Sequence, residues 1–190
     1  MVDGEFVLGS SVSQSGIKGS SGSIEVNDAL LAAAVHDAEG AATSFASLTP
    51  TPSVQSQFPA NGEIRGNLTI TGTSGVNVID LPSLTLNGNL ILDAPAGASF
   101  VINDSGNFNL HKGKISVNGG IGPLDVVFNI TNPSATVTTM MPTTVVGILL
   151  APYDAINTMD SSSFTGEVIG GYGKTITLMS GTKVTNPCQP

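Results

Sequence analysis

The chain has 190 residues, 40% hydrophobic but only 5% aromatic, with no Trp, 23 Gly and 11 Pro, enough for one sizeable core with many tight corners. Fourteen Asp plus Glu against six Lys plus Arg give a net charge of −8, which excludes the clustered cations that nucleic-acid binding requires and disfavours anionic membrane surfaces. Cys188 is the only cysteine, so neither an intramolecular disulfide nor a cysteine-based metal site can form.

Phe6 to Val26, FVLGSSVSQSGIKGSSGSIEV, is rich in Ser and Gly, yet its apolar residues alternate and predict short strands. Met1 to Glu5 has no basic start and Phe6-Val7-Leu8 is too short for an h-region, so no secretory signal is expected there. From Asn27 the period changes: Leu31, Ala34, Val35, Ala38, Ala42, Phe45 and Leu48 recur at three and four residues, predicting an amphipathic helix over about 27–48. Asn27 or Asp28 can cap it, and Pro50 and Pro52 stop it. Thr49 to Ala60 reads as a proline-stiffened return loop.

From Gly62 short strands follow one another with Gly, Asn, Asp and Pro between them. They are predicted at Glu63 to Thr71, Val76 to Ile79, Ser83 to Leu86, Asn89 to Leu92, Ser99 to Asn103, Phe108 to Leu110, Lys114 to Val117, Asp125 to Ile130, Ala135 to Thr138, Val145 to Leu150, Phe164 to Ile169, Thr175 to Met179 and Lys183 to Thr185. Units led by glycine recur: Gly66-Asn67-Leu68, Gly88-Asn89-Leu90 and Gly106-Asn107-Phe108, then Gly147-Ile148-Leu149-Leu150-Ala151 answered nineteen positions on by Gly166-Glu167-Val168-Ile169-Gly170. Recurrence near 20 residues matches one circuit of a three-sided coil of strands. The expected architecture is mainly β: a single-domain right-handed β-solenoid over residues 1–190, its main coil at about 62–186, with the helix packed along one side. The inward rows are expected to include Leu68, Ile70, Leu84, Leu86, Leu90, Phe100, Ile102, Phe108, Ile115, Val117, Val126, Phe128, Ile148, Leu150, Val168, Ile176 and Leu178.

The succession IDLPSLTLNGNLILDAPAGASFVINDSGNFNL, GKISVNG, PLDVVFNI and VVGILLAPYDAINTMDSSSFTGEVIGG, over roughly Val78 to Gly171, resembles the bacterial choice-of-anchor A domain. That resemblance implies a bacterial envelope or extracellular protein, although this chain shows no sorting motif or hydrophobic tail. The layout is also similar to the microbial ice-binding proteins, which set a long helix beside a β-solenoid. Neither family's motifs mark a binding residue that can be carried over.

Asp80, Asp93, Asp104, Asp125, Asp154 and Asp160 are the candidates for a facing carboxylate pair, but they sit mostly beside Pro, Gly or Ser, where Asp closes turns on its own backbone. Asn103 to Asn107 is oxygen-rich without a nearby bidentate Glu, which favours an Asx turn over a Ca²⁺ loop. His36 and His111 are far apart in sequence and lack a metal-site partner. Asn67, Asn87, Asn89, Asn107, Asn118 and Asn129 are expected near corners, stacked as amide ladders. No catalytic, metal or cofactor site is therefore expected.

Three Thr pairs remain. Thr69 and Thr71, Thr136 and Thr138, and Thr175 and Thr177 each project to one side of a strand and form the candidate binding face. The expected function is a non-enzymatic cell-surface or extracellular adhesion module. It would meet extracellular matrix, glycan or a neighbouring cell through a flat solenoid side, the alternative being an ice-binding protein that uses the Thr-bearing face. The longest apolar run, Val145 to Ala151, is far below the ~20 residues of a membrane-crossing helix.

Overall fold

The computed structural model describes residues 6–8, 24–159, 161–170 and 174–187; residues 9–23, Asp160 and Cys188 lie outside them. From Glu63 the chain winds through the same three walls in turn, and each strand pairs in parallel with its equivalent one turn away. The first wall stacks Glu63–Ile64, Leu84–Leu86, Phe108–Leu110, Thr136–Thr139, Ala155–Thr158 and Ile176–Leu178. The second stacks Asn67–Thr71, Asn89–Asp93, Gly113–Asn118, Thr143–Val146, Ser163–Thr165 and Lys183–Thr185. The third stacks Val76–Leu81, Ser99–Asp104, Val126–Ile130, Ile148–Ala151 and Val168–Gly170. The result is a parallel β-solenoid of about five turns with one long helix, α1 (Asp28–Ala46). A parallel pair, Phe6–Leu8 with Ile24–Val26, precedes that helix.

Local sequence decides which wall faces what. The first two walls alternate, as in Leu84-Thr85-Leu86 and Asn89-Leu90-Ile91-Leu92-Asp93, so one side enters the core and the other meets water. The third carries unbroken runs: Val126–Ile130 is buried at every residue, as a strand covered on both sides must be. Its inward rows put Phe100, Ile102 and Phe128 into the coil, where the Phe128 ring meets Phe108 edge-on at 5.4 Å. Its outward rows, Val127, Ile148, Leu150 and Ile169, meet α1.

Helix α1 begins as its sequence requires, with the Asn27 side chain accepting the Leu30 N–H at 3.0 Å. Its second half docks through Ala38, Ala41, Ala42 and Phe45. An amide ladder on the third wall secures it there. Asn129 Nδ2 donates to Ala42 O (3.0 Å) and to Asn103 Oδ1 (2.8 Å), and Asn103 Nδ2 donates to Phe45 O (3.0 Å) and to Asp80 Oδ1 (3.0 Å). The first half stands off the wall, leaving Leu31 38% exposed.

Residues 49–60, expected as a plain return loop, instead close the first end of the coil. Pro52 begins a short helix, α2 (Pro52–Gln55), and Val54 and Phe58 plug the core. Gln57 both accepts from Thr71 N–H (2.8 Å) and donates to Thr71 O (2.9 Å), and Gln55 does the same with Asp80. Two glutamine amides thus satisfy backbone groups that an uncovered edge strand would present for pairing with another chain.

The coils are unequal. Along the second wall, residues in register are Asn67, Asn89, Lys114, Thr144, Ser163 and Lys183, so successive turns take 22, 25, 30, 19 and 20 residues. Gly147 and Gly166 occupy one corner of neighbouring coils, with φ of 140° and 136°, and a Cβ on Gly166 would lie 2.1 Å from Gly147 O. Gly66 and Gly88 stack at another corner, but there Gly113, not Gly106, continues the column.

Other expectations also shift. Val145 to Leu150 and Phe164 to Ile169 are each two strands, bent at Gly147 and Gly166, and Glu63 to Thr71 bends at Arg65-Gly66. Ile148 and Leu150 point outward beneath α1, while Leu149 and Ala151 point inward: four consecutive apolar residues carry no phase. Ile176 and Leu178 hold the inward register but are 42% and 45% exposed, because no described coil covers them.

Candidate binding face

The three outward surfaces differ chemically. The third is occupied by α1, along whose docked half runs a mainly apolar groove of about 500 Å³ lined by Ala34, Ala38, Phe45, Val127, Ile148 and Ile169, with Asp37 and Glu167 also in its lining. The second is mixed: in register run Asn67, Asn89, Lys114, Thr144, Ser163 and Lys183, and beside them Thr69, Ile91, Ser116, Val146, Thr165 and Thr185.

The first wall is the regular one. Glu63, Thr85, Asn109, Thr138, Asn157 and Thr177 stand in register across all six strands. Beside that column Thr136 faces Ala155, and its N–H and hydroxyl both donate to Asn107 Oδ1, at 2.9 and 3.3 Å. Strand spacing of ~4.8 Å and a two-residue rise of ~6.6 Å make these columns a near-rectangular grid of hydroxyls and amides. Among its described strand residues only Glu63, at one end, is charged.

The six threonines singled out by sequence therefore divide between two surfaces. Thr136, Thr138 and Thr177 lie on the first wall with Thr175 at its edge, whereas Thr69 and Thr71 project from the second. Thr138 and Thr177 share a column with Asn157 between them. Sequence reasoning missed Thr85, Asn109 and Asn157, although each follows the same inward hydrophobic residue at the coil period. It also missed Met140, Met159 and Met179, which recur at intervals of 19 and 20.

Asp104 and Asp125 serve the backbone. Asp104, 1% exposed, accepts from Leu84 N–H and Gly106 N–H at 2.9 Å each, the Asx arrangement expected of its loop, and burial pushes its pKa up to about 6. Asp125 accepts from Gly122 N–H at 2.7 Å, and Asp80 accepts from Asn103. Asp154 is also 1% exposed; desolvation raises its pKa to about 6 against the opposing pulls of Lys174 and the Ala135 backbone N–H. Asn67 and Asn89 do form a corner ladder, at 2.8 Å, but Asn129 stands mid-strand beneath α1 rather than at a corner. Among the described residues no group of three His, Cys, Asp or Glu converges as for a metal, and no helix is long and apolar enough to cross a membrane.

Residues 2–175 match a family model provisionally described as an ice-binding-like adhesive domain. No curated protein matches the chain.

Proposed function

The chain belongs to the ice-binding-like adhesive domain family, and on that premise we propose that it is a non-enzymatic adhesion module whose first wall binds a hydroxyl-rich glycan surface outside a bacterial cell. The observation that carries this reading is the register of Thr85, Asn109, Thr138, Asn157 and Thr177. A flat, neutral grid of hydroxyl and amide groups offers donors and acceptors at the spacing of a polymer surface and no enclosed pocket for a small molecule. Each contact is weak and water-competed, so affinity comes from many copies acting together. The resemblance to choice-of-anchor A domains supports the envelope location. The groove along α1 is mainly apolar, with Asp37 and Glu167 as its titratable lining residues, and lacks the repeated hydroxyls and amides of the first wall, which favours the face over the groove.

Ice presents a second ordered array of hydroxyl-like groups, and the paired threonines at 136 and 138 and at 175 and 177 favour it as the alternative ligand. The test is retention on immobilised polysaccharides, run beside thermal-hysteresis and ice-recrystallisation assays, for the wild type, Thr138→Tyr and Thr69→Tyr. Glycan retention abolished by Thr138→Tyr and kept by Thr69→Tyr is the expected result. Ice activity with the same mutational pattern selects the alternative. Turnover of a bound glycan, or binding lost only in Thr69→Tyr, overturns the proposal.

A further inference from the structure

Four of the chain's five methionines, Met140, Met141, Met159 and Met179, gather at the corner between the first and second walls, between 39% and 54% exposed. Three of them form a column. Backbone N–H groups at this corner donate one coil back in an unbroken series: Asn87 to Ile64 O, His111 to Leu86 O, Met140 to Leu110 O and Met159 to Thr139 O, at 2.7 to 3.1 Å. Met179 holds the same place in the next coil, its N–H directed to Thr158 Oγ1.

The residue behind two of these methionines, Met140 and Met159, is also unusual. The inward column of the first wall runs Leu86, Leu110, Thr139, Thr158, Leu178, so hydroxyls replace leucine at two successive coils. Thr139 and Thr158 are 1% and 2% exposed. Burying a hydroxyl is costly unless it is bonded, and both are: Thr139 Oγ1 accepts from Met159 N–H (2.9 Å) and lies 3.1 Å from Ser162 Oγ, and Thr158 Oγ1 lies 3.0 Å from Thr182 Oγ1. The methionine backbone is thus clamped from inside while its side chains stand in water.

We propose that this column is a soft-metal site in which the thioether sulfurs of Met140, Met159 and Met179 hold one Cu(I) ion. Thioethers are soft donors that select Cu(I) over harder divalent cations. Taking the ~2.3 Å of zinc–thiolate bonds as the scale for a metal–sulfur bond, three sulfurs around one ion lie ~4 Å apart. Adjacent coils set the methionine backbones ~4.8 Å apart and the outer two about 9.6 Å apart, so the long, flexible side chains of Met140 and Met179 must each lean about 3 Å toward the central Met159 to share one ion. His111 occupies the same column one coil below Met140, and Met141 lies off the column. The site is independent of the adhesive reading, since no methionine belongs to the Thr/Asn grid.

The test is anaerobic competition for Cu(I) against a chromogenic Cu(I) chelator, with methionine methyl NMR as a second readout. The wild type is expected to retain one Cu(I) with shifts at Met140, Met159 and Met179. Met159→Leu, a near-isosteric change at an exposed position, is expected to weaken retention by more than the roughly 10- to 100-fold that an outer contact alone is worth. Met141→Leu and His111→Ala are expected to retain the ion. Failure of the wild type to hold Cu(I), undiminished binding by Met159→Leu, or equal binding of Zn(II) overturns the proposal.

Discussion

Asp104 gives the fold a pH dependence opposite to that of a salt-bridged carboxylate. Its carboxyl is buried at the corner between the third and first walls, where two backbone N–H groups do not offset the desolvation that raises its pKa from 3.8 to about 6. Between those values the folded chain binds a proton that the unfolded chain releases. Stability from this group is therefore fullest below pH 4 and is lost as pH rises through 6. At about 1.4 kcal/mol for each pH unit of displacement, the loss amounts to about 3 kcal/mol. Asp154, likewise buried and raised to about 6, acts in the same direction. Asp104→Asn removes the ionisation but keeps an acceptor for only one of the two N–H groups, which costs about 1–3 kcal/mol. At pH 7.5 the relieved charge and the lost bond offset each other, and the variant should unfold near the wild-type urea midpoint. At pH 5, above the chain's pI of 4.3, the wild type has taken up its proton and the variant should be clearly the weaker. Parallel pH profiles for the two proteins between pH 5 and 7.5 would refute the argument.

Gly166→Ala and Gly97→Ala contrast a stacked corner with an open one. Both glycines have positive φ, but a Cβ at Gly97 meets nothing within 4 Å, whereas at Gly166 it would overlap Gly147 O. Gly97→Ala should cost about 1–2 kcal/mol and Gly166→Ala clearly more in denaturant melts; equal losses would refute the stacked corner. Phe45 is only partly buried against the third wall, so Phe45→Ala should cost about 1–2 kcal/mol, below the ~3–5 of a fully enclosed ring such as Phe128. Equal losses for Phe45→Ala and Phe128→Ala would mean that α1 docks more tightly than its packing indicates.

Helix α1 was legible because Asn27, the apolar stripe and two prolines agree on its limits. The walls were legible wherever polar residues separate inward from outward, as in NLTIT and NLILD. Phase failed at GILLA, where every residue is apolar and both sides are covered, and corner register failed at Gly106, because one glycine looks like another when coil lengths run from 19 to 30 residues. The Thr/Asn grid was half visible. Threonine pairs attract notice within a strand, but Thr85, Asn109 and Asn157 become neighbours of Thr138 only after the register is known, and register depends on how many residues each corner consumes. The glutamine caps at 55 and 57 left no periodic signal, since they act through single side chains on a strand edge.

Those unequal coils have a consequence for how such a domain can vary. The longest turn, between Lys114 and Thr144, carries its surplus in the loops at 119–125 and 131–135, while its strands pair in unbroken parallel register with the coils on either side. Length is absorbed where the chain changes direction and does not reach the walls. A segment grafted into either loop would project beside the first or third wall and leave the Thr/Asn grid in place, so one scaffold can gain lateral contacts without rebuilding the surface that its coils align.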